Sequence, residues 1–369
     1  MREKTHWGRV ITFMGAFIAF SIGSGFASGQ EILQYFASYG YFCVLTGIIF
    51  LAILIYTNCS FLLAGHREKF EEGNQIFYYY CGPYLGKFFD YFTIAVCYMS
   101  FVMMVSGAAA TLTQQYGLPS WIGTLLLAGL SCLVVVFGLN ALVDVIGKIG
   151  PILILFVMLI AILTLVKTGH NIPEGVALLK NDGVEVMQGG SNWFTSAIAY
   201  GGFALLWFPG FCARLAAKNK IKELLSGAVL GQIITVLTGV VLSFALIANI
   251  EKVAGTQVPS LILAEQLFEN IALIFSVVIF LAIFSSATPL LWTTVVRFST
   301  EKSKTYTILS IILAISAIFF ALLFPFNILV NVIFMVNGYV GFIFVLCMVI
   351  KDIRVFISNR KRQTTNLVD

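Results

Sequence analysis

The sequence predicts an all-α polytopic membrane protein of about ten transmembrane helices, in a 5+5 inverted repeat with discontinuous helices one and six. Three observations predict it. The chain of 369 residues is 59% hydrophobic and only 11% charged, so apolar runs long enough to cross a hydrocarbon core of about 30 Å recur from end to end. Polar residues collect in short stretches such as HREKFEEGNQ, RLAAKNKIKE and SNRKRQTTNLVD, none of which could enclose a soluble domain. Two of the apolar runs carry glycine-rich interruptions near their middles, IGSGFASGQE in the first and YGGF in the sixth.

The helices are expected at roughly 8–37, 41–65, 86–113, 120–138, 147–167, 193–214, 224–249, 269–296, 305–325 and 327–350. They divide the chain into a first five-helix repeat over 1–168, an outer loop and second repeat over 169–350, and a cytoplasmic tail over 351–369. With both ends in the cytoplasm, only Lys167, Lys180 and Lys252 of the 22 basic residues fall outside, which satisfies the positive-inside rule and requires an even number of spans. The net charge of +5 then belongs to loops facing anionic lipid, and no nucleic-acid partner is expected. No small-residue cleavage site follows Arg2, Lys4 and Arg9, so the first run is expected to be a retained helix. The seven cysteines are scattered through apolar runs and imply no disulfide framework, and the three histidines show no metal-ligand spacing. The two long outer segments, 167–192 and 250–270, mix apolar with polar residues and are candidates to fold back over an outer mouth.

Gly23, Ser24 and Gly25 stand near the middle of the first span, where lipid offers no partner to an unpaired backbone group. A broken helix survives there only against protein or a water-filled cavity, so a break marks a binding site: freed N–H groups attract a carboxylate and freed carbonyls a cation. The plain alternative is that small residues let helices approach closely. Three further features favour the break. The sixth span places Tyr200, Gly201, Gly202 and Phe203 at the corresponding depth. The eighth span, FLAIFSSATPLLWTTVVRF, pairs Ser285 with Ser286; hydroxyls from this helix and carbonyls from the first would suit a hard cation such as sodium. In membrane helices such hydroxyls equally bond the carbonyl one turn back. Gln30 and Glu31 lie about two turns beyond the break. An intramembrane carboxylate is expensive, and Glu31, the acidic residue deepest in any span, is a candidate gate or proton carrier, whereas Asp90 and Asp144 sit near cytoplasmic ends.

These residues resemble the amino acid, polyamine and organocation transporter superfamily, with the fold of the bacterial leucine transporter, and most of all its YkvI-like branch. IGSGFASGQE is the most specific part, and GKIGPILIL, through Lys148 and Pro151, resembles the start of the fifth span in sodium symporters. The resemblance implies a sodium site formed by the backbone around Ala19 and Ile22 with Ser285 and Ser286. It implies a substrate pocket lined by Ser21, Gly23, Ser24, Gly25, Met104, Gly107 and Tyr200 to Phe203. Two departures matter. Phe26 stands where symporters with two ions carry an asparagine, which puts a second sodium site in doubt. Lys148 matches in position a lysine that replaces sodium in proton-dependent relatives, yet its cytoplasmic placement fits a positive-inside anchor.

The expected function is secondary active transport of a small organic solute, an amino acid or related amine, by alternating access in a bacterial plasma membrane. Sodium is the expected coupling ion and no other cofactor is implied. Phe26, Phe203 and Trp207 are candidates to close over the solute. The rivals are proton coupling through Glu31 and a nutrient receptor of the same fold. An enzyme is disfavoured because no span clusters catalytic or metal-ligating residues, and the sequence names no protein partner.

Overall fold

The computed structural model describes residues 6–137, 140–181 and 183–365, without the side chains of 140–151, 269 and 359–365. Among these residues the chain is built of helices joined by short connections, with no strand. The first span is three pieces, α1 (Trp7–Ser21), α2 (Ser24–Ser28) and α3 (Gln30–Tyr35). Four continuous helices follow: α4 (Cys43–Glu68), α5 (Gln75–Tyr116), α6 (Ser120–Phe137) and α7 (Asn140–Thr168). After the outer helix α8 (Ile172–Lys180), the sixth span is a pair, α9 (Trp193–Leu205) and α10 (Phe208–Lys218), bent by 51°. Then come α11 (Ile221–Ile247), the outer α12 (Ile250–Val253) and α13 (Pro259–Leu267), α14 (Glu269–Val296), α15 (Lys304–Leu323) and α16 (Phe326–Thr365). Eight of these helices are long and apolar enough to cross a membrane, nine with the bent pair. The first run, in three pieces, holds a shorter apolar helix, Trp7–Ser21, and stands outside that count.

Three stretches differ from the sequence expectation. The third span begins earlier, at Gln75, because its helix continues through a kink at Gly82, whose φ of 72° suits glycine and precedes Pro83. The segment after 350 continues as helix to Thr365. At about 1.5 Å per residue this last helix is far longer than the bilayer core, so its end projects beyond it. The outer segment 250–270 holds two helices, with Val258, Leu261 and Leu263 fully buried. The side chains of Asp144, Lys148 and Pro151 lie outside the described residues.

Span positions follow apolarity. α15 exposes Ile308, Ile311, Ile312, Ile315, Phe319 and Leu322, a helical stripe suited to lipid, while α5 is the most buried long helix. The sixth span starts with a capping box: Asn192 Oδ1 accepts the Phe194 and Thr195 N–H groups at 3.0 Å each, and Thr195 Oγ1 accepts the Asn192 N–H at 3.1 Å.

Glycines set the closest helix approaches. A Cβ on Gly202 of α9 would overlap the Gly338 carbonyl of α16, one on Gly338 the Ala199 carbonyl, and one on Gly341 the Gly202 carbonyl. The two backbones therefore touch directly, as small residues permit in a membrane. On α11, Gly227 and Gly231 likewise admit α1 through Phe13, Met14 and Phe17.

Gly338→Val should therefore lower the apparent melting temperature of the purified protein, in keeping with an overpacking cost of about 1–3 kcal/mol or more. Gly129→Val, where nothing lies within 4 Å of the new carbon, should leave it nearly unchanged. Equal effects would show that the α9–α16 contact does not depend on glycine.

Candidate functional site

The helical ladder of the first span stops at Ser21 because Ile22 and Gly23 are extended, with φ/ψ of −99°/109° and −100°/−172°. Ser24 and Gly25 belong to the next turn, so the break lies at Ile22–Gly23, slightly earlier than the expected Gly23–Gly25 stretch. A second change of direction falls at Gly29, whose φ of 81° is left-handed and whose missing side chain admits Ser260 of α13. Side chains repair the ladder between the two. The Ser28 hydroxyl donates to the Gly25 carbonyl at 3.0 Å and accepts the Gln30 N–H at 3.2 Å.

The break in the sixth span is displaced from the predicted one. Tyr200 to Phe203 are helical, and the bend lies at Leu206–Trp207. Pro209, which has no N–H to give the turn before it, supplies the cause. The last turn of α9 tightens instead, with Leu206 N–H on Phe203 O at 3.1 Å and Trp207 N–H on Ala204 O at 3.4 Å. Gly201 and Gly202 face Ile53 and Gly338, at helix contacts away from the bend.

The interrupted spans meet at a central cavity of about 20 Å³, room for a single water. Its wall is aromatic: Phe50 from α4, Tyr200 and Phe203 from α9, Trp207 and Phe208 at the bend, and Phe334 from α16. Ser21, Glu31 and Thr235 are its polar members. A wider depression of about 500 Å³ beside Tyr84, Lys87 and Phe88 lies along one helix, with Tyr84 almost fully exposed, and encloses nothing.

Glu31 is only 3% exposed, and its Oε2 accepts the Tyr200 hydroxyl at 2.8 Å. Its carboxyl group folds back over Gly25, where a Cβ would overlap Oε1, Cγ and Cδ. Oε1 points at the backbone of Gly25 and Phe26 without completing a hydrogen bond. Other buried polar atoms also lack partners: Ser24 Oγ, Gln30 Oε1, Trp207 Nε1 and Gln232 Nε2. Ser21 donates to Phe17 O at 2.8 Å and to Gln232 Oε1 at 3.1 Å, which brings α11 to the same place. Unpaired buried polar atoms are rare in folded proteins, and those of Glu31 and Trp207, both on the cavity wall, mark a place where water or a ligand can complete the set.

Of the expected pocket residues, Ser21, Tyr200 and Phe203 line the cavity. Gly23 stands beside it: a Cβ there would lie 3.4 Å from both Met104 and Trp207, so spans one, three and six converge at this glycine. Gly107 instead accommodates the ring of Phe326, and Phe26 packs toward Gly239. Phe50, Leu54, Ala204, Phe208, Thr235 and Phe334 were not foreseen. Gln232, a lone amide inside an apolar run, was the one legible signal from the seventh span.

The hydroxyls of the eighth span reach the first. Ser286 donates to the Ile22 carbonyl at 3.4 Å, while Ser285 and Ser286 both donate to Ala282 O at 2.8 and 3.1 Å. Both behaviours weighed from the sequence thus coexist. Each hydroxyl oxygen keeps lone pairs, and carbonyls in the last turn of α1, Ala19 among them, leave the ladder at the break. This all-oxygen donor set fits a hard monovalent cation. Among the described residues no three His, Cys, Asp or Glu side chains gather to hold a metal.

A helical membrane bundle whose first and sixth spans break against a buried polar centre is a transporter fold, and this chain is a membrane protein of that fold. Its sequence is related to the uncharacterised membrane protein YkvI of Bacillus subtilis (strain 168), 24% identical over 267 residues, 72% of this chain and 74% of YkvI. It is also similar to the protein YyaD of the same organism, 23% identical over 165 residues, 45% of this chain and 47% of YyaD. Among solved structures, it resembles a substrate-bound, outward-open Na+-coupled sialic acid symporter (TM-score 0.51, 14% identity, 86% of this chain and 81% of that one). It likewise resembles a mutant manganese transporter of Eremococcus coleocola (TM-score 0.53, 15% identity, 92% and 77%). No family model matches the chain.

The fold of the Glu31 side chain over Gly25 generates a prediction. Gly25→Ala should lower the apparent melting temperature by an amount corresponding to about 1–3 kcal/mol, and Glu31→Ala should relieve most of that loss when the two are combined. An equal loss in both backgrounds would place the clash elsewhere.

Proposed function

We propose that the chain is a secondary active transporter carrying a small organic solute, an amino acid or related amine, by alternating access with sodium as the coupling ion. The observation that carries this reading is the meeting of two interrupted spans at a buried cavity where several polar atoms lack partners. The five helices from α1–α3 to α7 and the five from the α9–α10 pair to α16 would form the two repeats, with both termini in the cytoplasm.

Contacts at the two ends of the bundle support alternation. On the loop side, Gln114 of α5 holds Val258 through both backbone groups at 3.0 Å each, and Gln257 Oε1 accepts the Phe326 N–H at 3.0 Å. The Gly189 N–H donates to Gln34 O at 3.0 Å, and the Tyr39 hydroxyl donates to Gly190 O at 2.6 Å. At the opposite end, Glu223 accepts the His6 N–H at 3.1 Å and lies 3.9 Å from Arg9, which keeps α1 against α11. A cavity holding one water admits no solute until one of these sets of contacts parts. In this mechanism Ile22 O, Ser285 and Ser286 would hold sodium across spans one and eight. Bound there, the ion would favour the arrangement in which those spans touch, and solute and ion would stabilise the same state.

Proton coupling is the second reading, favoured by the buried Glu31 carboxyl group with one unpartnered oxygen. In proteoliposomes at equal pH, an inward sodium gradient should drive accumulation, and the double variant Ser285→Ala, Ser286→Ala should lose sodium dependence while remaining folded. Unchanged sodium dependence in that variant would remove the ion site. Accumulation driven only by a proton gradient would transfer the coupling to Glu31.

A further inference from the structure

The central cavity is walled by aromatic rings and carries no basic side chain. Six of its walls are aromatic rings, and its single ionisable acidic group is Glu31; no Lys, Arg or His lines it. Three other inward-turned carboxylates each have two or more partners, although Glu223 Oε2 itself makes no hydrogen bond. Asp90 accepts from Arg297 at 2.6 Å and from Asn74 and Tyr78 at 3.2 Å each, Asp352 from Tyr56 at 3.0 Å and Ser60 at 2.5 Å, and Glu223 stands beside Arg9. Glu31 meets the Tyr200 hydroxyl and the backbone of Gly25 and Phe26 and, among the described residues lining the cavity, no cation. Its Oε1 remains without a partner although the residue is more than nine-tenths buried.

Position matters as much as charge. In interrupted spans, the freed N–H groups beyond the break are where a solute carboxylate docks. Here the side chain of Glu31 folds back onto that turn, over Gly25, and occupies the space itself. An incoming carboxylate would find that turn already covered and would meet no counter-ion in a desolvated site, which is an element of rejection. A cation would meet the reverse: an open carboxylate oxygen and the faces of Tyr200, Phe203, Trp207 and Phe334, whose quadrupoles attract positive charge.

We infer that the solute is an organic amine or quaternary ammonium compound lacking a carboxylate, with Glu31 as its counter-ion and the ring wall as its cage. The assignment rests on the transport reading for its premise that this cavity is the solute site, and it narrows that reading from amino acids to their decarboxylated counterparts. Trp207, half-buried at the bend of the sixth span beside Gly23, is the ring placed to move as the cavity widens. Its indole Nε1, without a partner, also faces this interior.

The test is thermal stabilisation of the full-length purified chain at fixed sodium by matched sets of probes. Phenethylamine, phenylalanine and phenylpropionate form one set; isopentylamine, leucine and methylpentanoate another; tetramethylammonium stands alone. A ligand binding only the folded state raises its melting temperature with concentration. The amines and tetramethylammonium should raise it, with apparent affinity at least about tenfold above the matched amino acid and acid, a difference of about 1.4 kcal/mol. Glu31→Gln should reduce that affinity by about tenfold or more, and Trp207→Leu, independent of the buried carboxyl group, should weaken it several-fold. An amino acid or carboxylate that stabilises as well as its amine, an undiminished amine response in both variants, or no response to any amine would overturn the assignment. Uptake of a radiolabelled amine into proteoliposomes separates the two claims. Binding without uptake supports the solute class while removing transport, and uptake of an amino acid with amines excluded overturns the solute class while keeping transport.

Discussion

The hydrogen bond from the Tyr200 hydroxyl to Glu31 Oε2, 2.8 Å long, joins α3 of the first span to α9 of the sixth. It is enclosed by Tyr35, Phe36, Phe50 and Phe334, whose rings pack around Tyr200 at centroid distances of 4.6–5.5 Å. In such surroundings a hydrogen bond to a carboxylate is stronger than in water, and the cost of leaving it unmade is larger still. Much of the local architecture follows from accommodating it. Gly25 has no side chain because the carboxyl group lies there, and Gly29 turns left-handed so that α3 can bring Glu31 back over α2.

A bond between two interrupted spans connects binding to movement. The α1 piece leans on α11 through Gly227 and Gly231; in the sixth span both halves pack on α4, and α9 alone packs extensively on α16. Loss of a continuous backbone ladder at Ile22–Gly23 and at Leu206–Trp207 leaves each pair of half-helices free to change angle at little cost in hydrogen bonds. Whatever binds between Glu31 and the ring wall acts on both hinges together. The Ser286 hydroxyl, on the Ile22 carbonyl, touches the first hinge from the eighth span.

The span order was legible because the bilayer imposes it: each crossing needs about 20 apolar residues, and the ten runs are separated by polar or charged punctuation. The first break was legible for the same reason, since glycine, serine, glutamine and glutamate in sequence make a poor lipid-facing helix. The second break was mislocated because glycine serves two purposes under one letter. Gly201 and Gly202 provide close approach to Ile53 and Gly338, whereas the bend depends on Pro209 a turn or two later. The cavity wall was only half legible. Phe50 and Phe334 belong to spans two and ten and become neighbours of Tyr200 through tertiary packing, and nothing in a chain with 34 phenylalanines distinguishes them beforehand. The meeting of Ile22 with Ser286 follows the family resemblance, whereas Ser285 takes the other course open to a hydroxyl on an apolar helix and bonds the Ala282 carbonyl of its own helix.

The account depends most on Glu31 and Tyr200 acting as one unit that ties the interrupted spans together. A double-mutant cycle on the purified protein tests this directly, with Glu31→Gln, Tyr200→Phe and their combination compared by apparent stability under one set of conditions. The account predicts that the double variant loses less than the sum of the single losses, with a coupling of about 1 kcal/mol or more. Losses that add to within about 0.5 kcal/mol would contradict it, because two side chains that contribute independently cannot be what holds the first span to the sixth.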